Sequence, residues 1–228
     1  MTLTTIRRDL TELEDSGELI RVHGGVMDTR YVKSEITFDE RMLRNVAAKR
    51  AIAAVAAALI PPGASVLIDA GTTCLEAGKA LFGRKDVRII THSVTLVEAA
   101  RQGEAELLCV GGELRKISGA LTGGQALGIL ATVRADFAFI GASGLDANEG
   151  CSNTQLFEAE MTKAILARAK RTILLADSTK WERPSIIRFA EWREIDDWIT
   201  DKPRSAKEAK KLKSFGLNVH VARVAKHA

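Results

Sequence analysis

Five short clusters of glycine, hydroxyl and charged residues carry the chemistry this chain can offer: Asp69-Ala70-Gly71-Thr72-Thr73, Thr91-His92-Ser93, Gly111-Gly112, Gly141-Ala142-Ser143-Gly144 and Asp177-Ser178-Thr179-Lys180. Glycine admits close backbone approach, hydroxyls and free backbone N–H groups donate to oxyanions, and lysine adds a compact positive charge, so the chemistry they share is anion binding. Taken singly, each cluster is also ordinary turn and N-cap composition. A second group lies at the start, where Thr4, Thr5, Arg7 and Arg8 could face a partner, arginine being suited to phosphates and base edges of nucleic acid. Charge alone does not argue for that partner. Residues 1–30 hold four cations (Arg7, Arg8, Arg21, Arg30) against six acids (Asp9, Glu12, Glu14, Asp15, Glu18, Asp28), although the whole chain of 228 residues carries a net charge of +4.

The elements that position the five clusters alternate. An alanine-rich helix begins near Asn45 and is closed by Pro61-Pro62-Gly63. Apolar β-type runs follow at Ser65–Ile68, Val87–Ile90, Glu106–Val110, Phe137–Ile140 and Thr172–Ala176, with shorter ones near Trp198 and Val219. Helical stretches separate them, the clearest over Thr154–Arg168 and Ser205–Ser214. This order predicts an α/β fold with a mostly parallel sheet and helices on both faces. In such a sheet ligands bind beyond the carboxyl ends of the strands, and all five clusters follow strands at that edge.

Before this region the chain has a different character. Leu3, Ile6, Leu10 and Leu13 form one apolar stripe, predicting a helix over Leu3–Asp15 with Thr2 as N-cap and Gly17 as stop. Leu19–His23 then alternates like a short strand and runs into the turn Gly24-Gly25. A helix followed by a β-ribbon suggests a winged helix; an amphipathic helix with a solvated basic edge is the alternative reading of the same residues.

The string TTIRRDLTELEDSGELIRVHGGV closely resembles the recognition helix and wing of DeoR-family transcriptional regulators. The resemblance continues through Phe38 to Arg41 (F-x-x-R), then I-D-A-G-T-T, T-x-S, G-G-x-L-R, A-D-x-A-F-I-G, E-A-E and L-A-D-S-x-K in order. It implies a partial winged helix-turn-helix over residues 1–28, a linker over 29–46 and a sensor domain over 47–228 similar in fold to ribose-5-phosphate isomerase and glucosamine-6-phosphate deaminase. The implied partners are operator DNA, met by Thr4, Thr5, Arg7, Arg8, Arg21 and His23, and a phosphorylated sugar. Gly71, Thr72 and Thr73 would cradle its phosphate opposite Lys180, with Asp69, Ser93, Gly111, Gly112 and Ser143 lining the sugar and Thr91, His92 and Gly141 also in the effector site; a helix-capping or half-buried role is the alternative for His92. The chain departs from the pattern at Thr91-His92-Ser93, where the family commonly has T-N-S, and at Thr162, where a lysine often stands and here comes one place later as Lys163. The helices that buttress the recognition helix in the family do not precede Leu3, so the DNA-binding unit is expected to be incomplete through truncation or a misassigned start.

These features imply a repressor of carbohydrate-metabolism genes, working as a homodimer or homotetramer because half-sites are read by paired modules. Two other readings stay open: a sensor or dimerisation protein without DNA binding, and a sugar-phosphate isomerase or deaminase using Asp69, Asp146, Glu158 or Asp177 as base. No catalytic motif surrounds these carboxylates, so no enzyme activity and no cofactor are expected. Cys74, Cys109 and Cys151 are widely separated and without histidine at metal spacing, which predicts lone thiols and no metal. The longest apolar run, Ala51 to Ile60, is too short to cross a bilayer and no apolar leader is visible, so a cytoplasmic protein is expected.

Overall fold

A computed structural model describes residues 19–22, 25–28 and 37–224 of the chain, which divides into two compact units, Met1–Ile36 and Thr37–Ala228. In the first, strands β1 (Leu19–Val22) and β2 (Gly25–Asp28) pair antiparallel, with Leu19 opposite Asp28 and Val22 opposite Gly25. The helix expected over Leu3–Asp15 lies outside the described residues, as do Thr4, Thr5, Arg7, Arg8 and His23; Arg21 falls within β1.

The second unit begins with helix α1 (Phe38–Leu43), inside the segment expected as a linker. Thr37 and Glu40 close it with a reciprocal capping box, Glu40 N–H donating to Thr37 Oγ1 at 3.3 Å and Thr37 N–H to the Glu40 carboxylate at 2.8 Å. Helix α2 (Val46–Ala58) follows, and then the units β3 (Ser65–Ile68), α3 (Thr72–Lys79), β4 (Arg88–Thr91), α4 (Val94–Ala99) and β5 (Glu106–Cys109). A hairpin of β6 (Glu113–Arg115) and β7 (Ala120–Thr122) leads through α5 (Gly123–Leu130) to β8 (Ala135–Ile140). Strands β9 (Gly144–Asp146) and β10 (Gly150–Asn153), helix α6 (Leu156–Leu166), β11 (Ala169–Leu175), β12 (Ile187–Ala190), β13 (Asp197–Thr200), α7 (Ala206–Ser214) and β14 (Asn218–Val221) complete it.

Seven strands form one parallel sheet in the order β14-β13-β11-β8-β3-β4-β5. Successive side chains point to opposite faces, so each central strand feeds two cores. Leu67, Ile90, Ala138, Ile140 and Leu174 pack against α5, α6 and α7 through Ala126, Leu130, Met161, Ile165 and Leu212. Val66, Ile68, Ile89, Phe139 and Ile173 pack on the other face against Ile52 and Ala56 of α2, Leu75 and Ala77 of α3, and Leu96 of α4. The parallel sheet covered on both faces is the architecture expected from the alternating elements. The β6–β7 hairpin and an antiparallel sheet of β9, β10 and β12 were not expected, because strands of three or four residues are too short to show periodicity. All three cysteines are free thiols, Cys74 and Cys151 buried and Cys109 exposed.

Candidate anion-binding site

The sheet's strand order reverses between β3 and β8: from β3 it proceeds outward through β4 and β5, and from β8 the other way through β11, β13 and β14. The helices that follow these two neighbouring strands lie on opposite faces of the sheet, α3 on one and α6 on the other, an arrangement that opens a crevice beyond the strands' carboxyl ends. Gly71 and Gly141 meet there; a Cβ on Gly71 would lie 3.9 Å from the Cα of Gly141 and 3.6 Å from Cys74 Sγ. Gly71 is the N-cap of α3, and no side chain caps that helix, so its first N–H groups stand without intrahelical acceptors. The Thr72 and Thr73 hydroxyls have no partner among the described residues. The first turn of α3 therefore presents a set of free donors at the positive end of a helix.

Asp69, beside this turn, is saturated. Its Oδ1 accepts from Ala70 N–H at 2.8 Å and from His92 Nε2 at 2.9 Å; its Oδ2 accepts from Gly141 N–H and lies near Thr162 Oγ1, each at 3.3 Å. Burial pushes this carboxyl's pKa up, but the hydrogen bond and charge of His92 and the two backbone N–H groups outweigh it and hold the pKa below the usual carboxylate range. His92 Nδ1 faces the Leu121 carbonyl at 3.0 Å, so both ring nitrogens face oxygen atoms. His92 is 2% exposed, and its polar atoms are spent on Asp69 and β7.

Thr91 and Ser93 are likewise used internally. Thr91 Oγ1 donates to the Ile68 carbonyl at 2.7 Å and accepts from Ser93 N–H, while Ser93 Oγ caps α4 by accepting from Leu96 N–H at 3.2 Å. Gly112 has φ +137°, and a Cβ there would lie 2.6 Å from the Thr122 carbonyl, so it is the close approach of β7 that demands glycine. Gly111 stands beside it, with its nearest contact at Ile129. Ser143 is tied to β10, its N–H donating to the Ser152 carbonyl at 3.0 Å and the Asn153 side chain at 3.1 Å.

Lys180 ends a 3₁₀ turn (Ser178–Lys180) after β11, capped by Asp177. Burial drives its ammonium pKa down; Asp177 opposes this, while Arg41, Arg44 and Arg183 add to it. Sequence reasoning missed Lys49 of α2, which is 5% exposed, donates to the Arg41 carbonyl, and is pushed down in the same way by burial and by the charges of Lys180 and Arg41, with Asp177 again opposing. The position of the turn is held by Trp181, which packs on Trp198 with ring centroids 5.2 Å apart and on Trp192 at 5.9 Å, and donates to Glu208 at 2.6 Å.

Two family models match the chain, the DeoR C terminal sensor domain over residues 44–202 and the DeoR-like helix-turn-helix domain over residues 1–29. The chain belongs to the DeoR family. It is 34% identical over 215 residues to the HTH-type transcriptional regulator GlpR of Haloferax volcanii, covering 94% of this chain and 84% of the relative. It is 32% identical over 197 residues to the glycerol-3-phosphate regulon repressor of Haemophilus influenzae, covering 86% and 76%. Among solved structures, eIF2B delta from Chaetomium thermophilum has the same fold, with a TM-score of 0.50 and 18% identity over 71% of this chain and 59% of that one.

In this DeoR sensor domain the two departures from the family pattern meet at one carboxylate: His92 and Thr162 both contact Asp69. Asn153 Nδ2 extends the network by donating to Thr162 Oγ1 at 3.3 Å. The other carboxylates weighed as bases are also engaged, Asp146 with the Asn148 and Glu149 N–H groups, Glu158 with Arg115 and Asp177 with Thr179. A second depression, lined by Pro61, Pro62, Gly63 and Asp136, opens at the amino ends of the strands. Its charged groups are already paired, Lys170 with Asp136 at 2.8 Å and Arg171 with Asp197 at 2.6 Å, so the strand-end crevice is the stronger candidate for a charged ligand. Among the described residues no cluster of three metal-binding side chains occurs, and no helix is long and apolar enough to cross a membrane.

Proposed function

We propose that this DeoR-family chain represses carbohydrate-metabolism genes and that a phosphorylated sugar, bound where the sheet reverses between β3 and β8, sets its hold on operator DNA. One observation carries the reading: the uncapped first turn of α3, with Thr72 and Thr73 unpartnered, stands at the same sheet edge as the under-compensated Lys180 turn. Backbone N–H groups, hydroxyls and a lysine suit a phosphate monoester better than a neutral sugar. In this reading Gly71, Thr72, Thr73 and Lys180 hold the phosphate, and Gly141 and Ser143 flank the sugar. Asp69 and His92 act behind them, fixing Gly141 and the β6–β7 hairpin in place.

The names of relatives support the DNA-binding half, among them a putative aga operon transcriptional repressor of Escherichia coli O157:H7 at 32% identity. Recognition of DNA falls to the residues matched by the helix-turn-helix model, with Arg21 on β1 in the wing. The repressor works in the cytoplasm as a homodimer or homotetramer, because a single winged helix holds an operator too weakly. The effector is bound and released without turnover.

The test is a thermal-shift panel of phosphorylated sugars and their unphosphorylated parents, with each hit incubated at length and assayed for product. Stabilisation by selected phosphosugars alone, with no product, is the expected result. A flat panel removes the pocket, and product formation replaces the sensor with an enzyme.

A further inference from the structure

Three cations from three separate elements gather at one place. Arg41 lies on α1, Lys49 on α2 and Lys180 on the turn after β11; the Lys49 ammonium donates to the Arg41 carbonyl, the charge of Arg41 acts on both lysines, and Asp177 opposes it at both, with Glu76 helping at Lys49. None of the three has a carboxylate partner in an ion pair among the described residues. Asp177 itself is occupied with Thr179 N–H at 2.9 Å. The Arg41 Nε is buried and makes no hydrogen bond, an orphaned donor on a permanently charged group. A fold keeps such an arrangement when something outside the chain completes it, and the missing partner here is an anion with several acceptor oxygens.

The helix that carries Arg41 is tied to both sides of the site. At its start, Phe38 N–H donates at 2.9 Å to the Ile117 carbonyl in the β6–β7 hairpin, the same hairpin whose Leu121 carbonyl holds His92. Two residues beyond its end, Asn45, the N-cap of α2, in the left-handed region with φ 51°, donates from Nδ2 to Thr179 Oγ1 at 3.4 Å in the turn that carries Lys180. Between them Lys49 donates to the Arg41 carbonyl, so the backbone of α1 is itself part of the cluster. In chain order α1 starts two residues after Ile36, where the unit containing the helix-turn-helix match ends.

We propose that Arg41 joins Lys180 on the phosphate group of the effector, and that α1 is a strap across the site whose position reports occupancy to the DNA-binding unit. This rests on the phosphosugar reading above and adds to it a direct contact between ligand and connector. A phosphate that ligates Arg41 binds more tightly when α1 is docked, and by linkage a docked α1 is the state the ligand populates.

The experiment uses the full chain with inorganic phosphate as probe. Binding is followed by calorimetry, amide hydrogen exchange over residues 37–45 by mass spectrometry, and ligand-free stability by melting temperature. Phosphate should slow exchange across α1 in the parent. R41Q should bind phosphate roughly tenfold more weakly, the size of one charge-assisted contact, and lose the slowing, with R41K intermediate. Ligand-free R41Q should melt no lower than the parent, because the substitution removes an orphaned cation from a like-charged cluster. Undiminished phosphate binding by R41Q overturns the strap and leaves the pocket standing. A ligand-free R41Q that melts lower or fails to fold makes Arg41 structural and also overturns it. A parent that binds neither phosphate nor any phosphosugar overturns the pocket reading, and the strap with it.

Discussion

At the scale of single residues, the distinction that matters is between groups whose hydrogen-bonding capacity is spent and groups whose capacity is free. Asp69 and His92 are spent on each other, on two backbone N–H groups and on the Leu121 carbonyl. Thr72, Thr73 and the Arg41 Nε are not. An Asp69→Asn substitution should therefore cost stability, about 2 kcal/mol, because it leaves His92 without its anion in a buried site. The pH dependence has a definite sign. Asp69's pKa is lower in the folded chain than in the unfolded one, so its stabilisation is complete above the ordinary carboxylate range and is lost as pH falls through the depressed folded value. Melting temperatures of the parent should fall on acidification through that range, and D69N should lack this component; identical profiles would contradict the role given to the pair. Sequence patterns located Asp69 and His92 at strand ends, but spent and free hydroxyls look alike in a sequence. Thr91 and Thr72 differ only in that one reaches the Ile68 carbonyl while the other begins a helix.

Among elements, the turn Ser178–Lys180 and helix α1 depend on packing that periodicity does not reveal. Trp181 follows Lys180 directly and closes a cluster with Trp192 and Trp198, under the guanidinium of Arg204 at 5.4 Å from the Trp181 ring. These are all three tryptophans of the chain, so intrinsic fluorescence reports on this one place. Binding of a phosphosugar at Lys180 should change the emission, and Lys180→Ala should abolish the change while leaving the ligand-free spectrum nearly unaltered. An unchanged response in that variant would move the ligand elsewhere. The strands before each cluster were legible because apolar runs of β-type residues are bounded by turn residues. The β6–β7 hairpin was not, since its three-residue strands are fixed by contacts with α4, α5 and the connector rather than by their own composition.

Across the whole sensor unit, two cores share one sheet. Ile52 of α2 lies in one and Leu174 of β11 in the other, both fully buried, and β11 contributes Ile173 to the first core and Leu174 to the second. Truncating either residue to alanine should cost about 3 kcal/mol. Because every central strand belongs to both cores, I52A and L174A should each shift a single cooperative transition of the unit, measured by chemical denaturation; two separated transitions would show independent cores. The sequence by itself determined the parallel α/β architecture, the edge on which the five clusters fall and the membership of the DeoR family, because alternation, turn residues and ordered motifs are local properties of the chain. Only the tertiary structure decided which cluster residues remain free for a ligand, and that Arg41, from a segment expected to be a connector, and Lys49 of α2 come together with the turn that carries Lys180. Hydrogen-bond saturation and charge compensation depend on partners brought together from distant positions, such as Asp69 with Thr162 and Asn45 with Thr179, and no local pattern encodes those distances.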